Sequence, residues 1–92
     1  MKLEDLFLII EDRKRTMPKN SYVATLLQEG KDRVLQKVGE ETTEVIIAAK
    51  NASKKALVHE IADLLFHLLV LMASFNVSPK DVFQELENRQ KN

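Results

Sequence analysis

Apolar residues recur every three or four positions along this chain, and no long segment alternates with a period of two. Such spacing predicts amphipathic helices rather than strands. A first helix is expected from Leu3 to about Lys14, followed by a loop from Arg15 to Asn20 that contains Pro18. The pattern therefore predicts an all-α fold.

Capping and turn residues divide the middle of the chain into further helices. Ser21 is a candidate N-cap for a short helix ending at Gly30, where glycine favours the left-handed backbone of a C′ position. Asp32 is a candidate N-cap for a third helix that continues to about Lys50. Asn51–Ser53 then reads as a turn.

The same signals mark the last two helices. Ser53 can cap a fourth helix that continues to about Phe75, and Ser78 with Asp81 resembles a capping box at the start of a fifth. The polar segment Asn88–Asn92 is expected to fray. Together the elements predict a bundle of four to five helices in one domain covering residues 1–92.

The charge balance and the absence of cysteine exclude several classes of protein. Lys and Arg number 14, Asp and Glu also number 14, and the formal net charge is zero. A general nucleic-acid binder normally has a basic excess, so no nucleic-acid partner is expected. Without cysteine there is neither a disulfide framework nor a thiolate metal site, which agrees with a cytoplasmic location.

The segment Leu57–Val77 is about as long as a membrane span, but it contains Glu60 and Asp63. A charged side chain at the centre of a bilayer costs roughly 2.5–3.5 kcal/mol, so membrane insertion is not expected. This helix is apolar nearly all round, which predicts that it is buried in a soluble protein and that its carboxylates face the interior or an interface.

Two groups of acidic residues break the pattern of an ordinary amphipathic bundle. Glu40, Glu41 and Glu44 crowd one stretch of the third helix, and Glu60 and Asp63 form an i,i+3 pair in the apolar fourth helix. Like charges at these spacings destabilise a helix. A solvated helix face would explain the first group alone, but the second group has almost no polar face to solvate it.

Five carboxylates on two packed helices, with no matching cluster of buried cations, indicate a divalent metal ion. Carboxylate oxygens suit Mg²⁺, with Mn²⁺ as the alternative, and Mg²⁺ commonly shares its ligand shell with substrate phosphates. Arg33 and Lys37, one helical turn apart, are candidate phosphate contacts, as is Lys50. Each of these cations could equally be a solvated surface charge. His67 could face the same site, but a histidine on an apolar helix is more often a satisfied core residue.

Two further features leave alternatives open. Gly39 directly precedes the acids, where it could mark a kink, close helix packing or the approach of a ligand to the backbone. Lys14, Arg15 and Lys19 could close over a substrate or form a solvated basic turn.

The motifs resemble the phosphoribosyl-ATP pyrophosphohydrolase family, within the wider MazG-like group of all-α nucleotide pyrophosphatases. The resemblance covers roughly Leu3 to Leu86 and rests on four segments, which are Ser21–Leu26, Gly30–Arg33, Gln36–Val45 and Glu60–Leu71. It implies Mg²⁺-dependent hydrolysis of phosphoribosyl-ATP to phosphoribosyl-AMP and pyrophosphate, the second step of L-histidine biosynthesis. It also implies a homodimer with helices packed across the subunits.

The resemblance assigns metal binding to the acids of both helices, which are Glu40, Glu41, Glu44, Glu60 and Asp63. Water would attack the phosphoanhydride between the α and β phosphates, with Glu41 or Glu44 orienting or deprotonating it. The chain departs from the family at Phe66, where tyrosine is frequent, and at Thr42 and Thr43, where small or apolar residues are common. None of these departures alters a carboxylate.

Two other functions are compatible with the same residues. A MazG-like house-cleaning enzyme would use these acids on ordinary or damaged nucleoside triphosphates, and a non-catalytic dimerisation module would use none of them for chemistry. A di-iron bundle is disfavoured because it needs Glu-x-x-His on two helices, and neither Glu41-x-x-Glu44 nor Glu60-x-x-Asp63 supplies that motif.

Overall fold

The computed structural model describes residues 1–51 and 53–90, and every regular element in them is an α-helix. The helices are α1 Leu3–Thr16, α2 Tyr22–Gln28, α3 Lys31–Lys50, α4 Lys54–Ser74 and α5 Pro79–Arg89. The predicted all-α fold of four to five helices is therefore confirmed, with five helices in these residues.

Three serines begin three of the helices, as predicted. The hydroxyl oxygens of Ser21 and Ser53 accept hydrogen bonds from the backbone N–H three residues later, at 3.1 and 3.3 Å. Ser78 does the same for Asp81 at 3.2 Å, and the Asp81 carboxylate accepts the Ser78 N–H at 2.9 Å. Each such cap is worth about 1 kcal/mol of helix stability, so the helix starts are determined locally.

The start of α3 differs from the prediction, because Gly30 and not Asp32 is its N-cap. Gly30 has φ 103° and ψ 167°. The positive φ favours glycine as expected, but the extended ψ turns the chain straight into α3 instead of closing α2 with a left-handed residue. Asp32 consequently lies in the first turn, where its carboxylate still interacts favourably with the helix dipole.

The end of α1 also differs, since the helix continues two residues beyond Lys14. The Lys14 ammonium donates to the carbonyl oxygen of Ala73 at 2.8 Å and to Asn76 Oδ1 at 3.1 Å. These bonds attach the last turn of α1 to the C-terminal end of α4. Met17, with φ 47° and ψ 56°, then ends the helix.

Two predictions fall partly on residues outside the described part of the chain. The predicted turn Asn51–Ser53 includes Ala52, which lies outside the described residues. The predicted fraying tail includes Lys91 and Asn92, which also lie outside them. Helix α5 continues to Arg89, two residues into the predicted tail.

The core lies where α1, α2 and the first turn of α3 meet the second half of α4. Its buried residues are Phe7, Ile10, Val23, Leu26, Val34, Leu69, Val70 and Ala73. The most extensive packing between helices is that of α3 against α4. The acids of the third and fourth helices are thus carried by the two longest elements, which lie side by side.

The prediction that α4 is buried nearly all round is wrong for the single chain. Its fully buried residues all lie in its second half, while Val58, Ile61 and Leu65 are 58%, 41% and 40% exposed. These three positions form one stripe at helical spacing, hereafter the α4 stripe. Within the described residues, α4 is also the one helix long and apolar enough to cross a membrane by length and composition alone.

Candidate active site

Helix α3 presents its three acids with different exposures. The Glu41 side chain is only 12% exposed, whereas that of Glu40 is 47% exposed and Glu44 lies on the surface. The Lys37 ammonium lies 3.2 Å from Glu40 Oε2 and 3.4 Å from Glu41 Oε1. Lys37 therefore pairs with two of the three α3 acids.

Helix α4 presents a second group of ligand atoms about two turns after its start. The side chains of Glu60 and Asp63, which were predicted to face the interior or an interface, are 20% and 42% exposed in the single chain. His59 Nε2 lies 3.7 Å from Glu60 Oε1 and 3.3 Å from Asp63 Oδ2. One ligand atom from each of the three residues lies within 4.8 Å of the others, which is a spacing compatible with a shared metal ion.

Two of the three cations predicted to contact phosphate lie beside the α3 acids, and the third, Lys50, lies further along α3. The Arg33 guanidinium pairs with Glu29 at 3.2 Å and reaches Glu40 at 3.8 Å, so Arg33 and Lys37 both lie beside the α3 acids. A hydrogen bond to Glu40 raises the pKa of Lys37, which keeps it charged at neutral pH. Lys50 ends α3 six residues beyond Glu44, about 9 Å along the helix axis.

His67 is the one buried polar residue among those described, at 6% exposure, and it makes two hydrogen bonds. Its Nδ1 lies 2.7 Å from the carbonyl oxygen of Asp63, which can only accept, so Nδ1 donates there. Its Nε2 then accepts a hydrogen bond from the Tyr22 hydroxyl, also at 2.7 Å. His67 is thus a buried residue whose two ring nitrogens both have hydrogen-bond partners, and it lies one turn after Asp63 on α4.

Tyr22 connects α2 to α4 through its ring and its hydroxyl. Its ring packs against those of Phe66 and His67, with centroids 6.1 and 5.6 Å away. Partial burial raises the pKa of Tyr22, the charge of Lys37 opposes that shift, and the charge of Glu41 adds to it. The charges of Lys37 and Glu41 on α3 thus act on the Tyr22 hydroxyl, which is hydrogen-bonded to His67 of α4.

Sequence reasoning missed His59 and Tyr22 as members of this region. His59 could have been found, because an i,i+4 pair with Asp63 follows from helical geometry alone. The contact between Tyr22 and His67 joins residues that are 45 positions apart, and no local pattern indicates it.

Gly39 lies in the uninterrupted helix α3, directly before the acids. A Cβ built on it would meet nothing within 4 Å, so close packing within the described chain does not explain this glycine. The backbone beside the acids is open to a ligand or a second chain.

The residues present fit a hard divalent cation. The grouped donors on α4 are two carboxylates and one imidazole, the acids of α3 lie outside that group, and carboxylate oxygens are the donors that Mg²⁺ and Mn²⁺ prefer. The neighbouring cations Arg33 and Lys37 suit the oxygens of a phosphate group. The α4 group can hold a divalent metal ion, and the cations beside the α3 acids can contact a phosphorylated substrate.

The sequence profile of the family described as "PRA-PH: Phosphoribosyl-ATP pyrophosphohydrolase" matches residues 3–90. The chain is 52% identical over 89 residues to the phosphoribosyl-ATP pyrophosphatase of Sulfolobus acidocaldarius, covering 97% of this chain and 94% of that relative. It is 53% identical to the protein of the same name from Leptospira biflexa, with the same coverage. The corresponding protein of Geobacter sulfurreducens is 48% identical over 87 residues, which is 95% of this chain and 81% of the relative.

Proposed function

This chain belongs to the phosphoribosyl-ATP pyrophosphohydrolase family, and from that premise we propose that it hydrolyses phosphoribosyl-ATP to phosphoribosyl-AMP and pyrophosphate. In this role it catalyses the second step of L-histidine biosynthesis. The observation that best supports the proposal is that the α3 acids lie beside Arg33 and Lys37, on a helix packed against the α4 helix that carries the second acidic group. All of these residues lie inside the matched segment.

The cofactor in this proposal is Mg²⁺, which Mn²⁺ could replace. Its ligands are drawn from the acids of both helices, which are Glu40, Glu41, Glu44, Glu60 and Asp63. When bound, the metal supplies charge neutralisation at the phosphates and a more acidic coordinated water. The carboxylate donors on α4, within 4.8 Å of each other and of an imidazole, support this assignment.

The chain's own side chains have distinct roles in the proposed reaction. Arg33 and Lys37 hold phosphate oxygens, and Lys50 is a more distant contact of the same kind. Water attacks the anhydride between the α and β phosphates, the P–O bond between them breaks, and pyrophosphate leaves. Glu44, exposed and one turn from Glu41, accepts the proton of the attacking water, or Glu41 does so. His67 acts indirectly by holding Tyr22.

The decisive measurement is pyrophosphate release from phosphoribosyl-ATP with and without Mg²⁺, with ATP and dCTP as control substrates. We expect Mg²⁺-dependent turnover of phosphoribosyl-ATP that far exceeds turnover of either control. Equal turnover of the three would favour a house-cleaning nucleotide pyrophosphatase. No pyrophosphate release from any of them would favour a non-catalytic dimerisation module.

A variant separates a chemical role of the acids from a structural one. Glu44→Gln is expected to lower kcat by about 10²-fold or more, because proton transfer contributes 10²–10⁴-fold to such reactions. Without metal, its free energy of unfolding should be unchanged or higher, since a like-charge contact is removed. Glu87→Gln on α5 is the matched control, with normal activity expected. A large loss of stability without metal in Glu44→Gln would contradict the assignment.

The assembly that we propose is a homodimer in the cytoplasm. The exposed α4 stripe, with Ile46 and Ile47 of α3 also exposed, is apolar surface that a second copy would cover. Burial in a dimer also explains why α4 is so apolar. Insertion into a membrane is a poorer explanation, because Glu60 and Asp63 would be costly in a bilayer.

A further inference from the structure

An open cleft of about 540 Å³ lies between α1, the turn after it and the start of α2, outside the acidic site. One part of its wall is apolar and aromatic, and it includes Ile9, Tyr22 and Phe66. Another part is polar, and it includes Arg13, Lys19 and Ser21. A cleft with both kinds of wall suits a sugar phosphate attached to an aromatic base.

The charge inside the cleft is positive despite the presence of Asp12. Both carboxylate oxygens of Asp12 are engaged, with Arg13 Nη1 at 2.8 Å and Arg15 Nη2 at 2.8 Å. Lys19 is exposed, and it takes part in none of the ion pairs that the structure records between the described residues. Its ammonium is therefore available to a ligand.

The cleft adjoins the acidic site through Tyr22. This side chain is part of the cleft wall, and its hydroxyl is hydrogen-bonded to His67, one turn after Asp63. Its electrostatic neighbours include Lys37 and Glu41 of the acidic site. A ligand lying against Tyr22 could extend from the cleft to the acids.

We propose that this cleft binds the second, 5′-phosphorylated ribose of phosphoribosyl-ATP, with Lys19 donating to its phosphate. This inference rests on the proposed function, since ATP carries no such group. The substrate has a triphosphate at one end and a phosphate monoester at the other. Arg33 and Lys37 contact the phosphates at the first end, and Lys19 contacts the phosphate at the second. The cleft then discriminates phosphoribosyl-ATP from ATP.

The test compares the binding of phosphoribosyl-AMP and AMP by isothermal titration calorimetry without metal, after turnover of phosphoribosyl-ATP by the wild-type chain has been established. Charge-assisted hydrogen bonds to phosphate support an expected preference of about tenfold or more for phosphoribosyl-AMP in the wild type. Lys19→Ala should remove most of this preference and leave AMP binding unchanged. Lys19→Arg should restore part of it. Lys80→Ala, an exposed lysine on α5, is the matched control and should bind as the wild type does.

Kinetics provide a second readout. Lys19→Ala should raise KM for phosphoribosyl-ATP by about tenfold with little change in kcat, because the contact is remote from the reacting phosphates. Equal affinities of Lys19→Ala and wild type for phosphoribosyl-AMP would overturn the inference and leave the proposed function intact. Absence of phosphoribosyl-ATP turnover by the wild type would instead overturn the function on which the inference depends.

Discussion

At the scale of single residues, Tyr22 and His67 form the contact on which the geometry of the site depends most. His67 is nearly inaccessible to water, and both of its ring nitrogens have partners. Because the Asp63 carbonyl fixes Nδ1 as a donor, Nε2 can be satisfied only by a donor from elsewhere. Tyr22 supplies it, and this hydrogen bond attaches α2 to the helix that carries Glu60 and Asp63.

Tyr22→Phe should therefore destabilise the protein by about 1–3 kcal/mol, because a buried acceptor loses its only side-chain donor. The measurement is urea unfolding at a fixed protein concentration without metal. The control is the same substitution in a His67→Leu background, where no acceptor remains and the cost should be much smaller. An equal cost in both backgrounds would mean that ring packing, and not the hydrogen bond, is what Tyr22 contributes.

The residues of the candidate site differ in how far the sequence could predict them. The acids were recognisable because their spacing places like charges on one helix face. Lys37 was named as a phosphate contact, but its pairing with Glu40 and Glu41 was not anticipated. Tyr22 could not be assigned, since its partner is distant along the chain and becomes its neighbour only through packing.

At the scale of elements, α5 is the helix whose start depends most clearly on charge. The backbone N–H of Ser78, and after it the Ser78 hydroxyl, hold the pKa of Asp81 below its ordinary value of 3.8. A depressed pKa in the folded state stabilises the protein above the unfolded value. That stabilisation is lost as the pH falls through the folded pKa.

Asp81→Asn should accordingly destabilise the protein at pH 7, and the difference from wild type should shrink as the pH falls below 3.8. Asparagine can still accept the Ser78 N–H, so the variant removes the charge rather than the hydrogen bond. Thermal unfolding between pH 7 and pH 3 measures the effect, with Glu87→Gln on the same helix as the control. A difference that is constant with pH would show that the Asp81 charge is not responsible.

The ends of the elements indicate which local signals are sufficient. The three serine caps were predicted correctly because each bond spans three residues and needs no tertiary partner. The end of α1 was placed too early because Lys14 bonds the distant Ala73. The start of α3 was misplaced because the extended ψ of Gly30 cannot be read from its identity.

At the scale of the whole molecule, the main disagreement between sequence and structure concerns the burial of α4. Hydropathy predicts that its apolar residues leave water, but it does not distinguish a core from an interface. In the single chain the fully buried residues of α4 all lie in its second half. The exposed α4 stripe is thus the observation that supports a dimer, in which a second copy of the chain covers it.

Ile61→Lys tests that argument directly. A charge placed within an apolar interface must be buried or the interface must open, so we expect the variant to be monomeric at concentrations where wild type is dimeric. Size-exclusion chromatography with light scattering gives the masses. Asn88→Lys on α5 adds the same charge at an exposed position and should leave the mass unchanged. A dimeric Ile61→Lys would place the interface elsewhere.

The pairing of α3 with α4 also has a consequence for how the chain acquires its structure. Only three residues separate these two helices, and their mutual packing is the most extensive in the molecule. Contacts between elements that are close in sequence cost little chain entropy to form, so this hairpin is expected to form early during folding. It carries the α4 stripe from the moment it forms. Two such hairpins can therefore associate before α1 and α5 dock, and the refolding rate should increase with protein concentration.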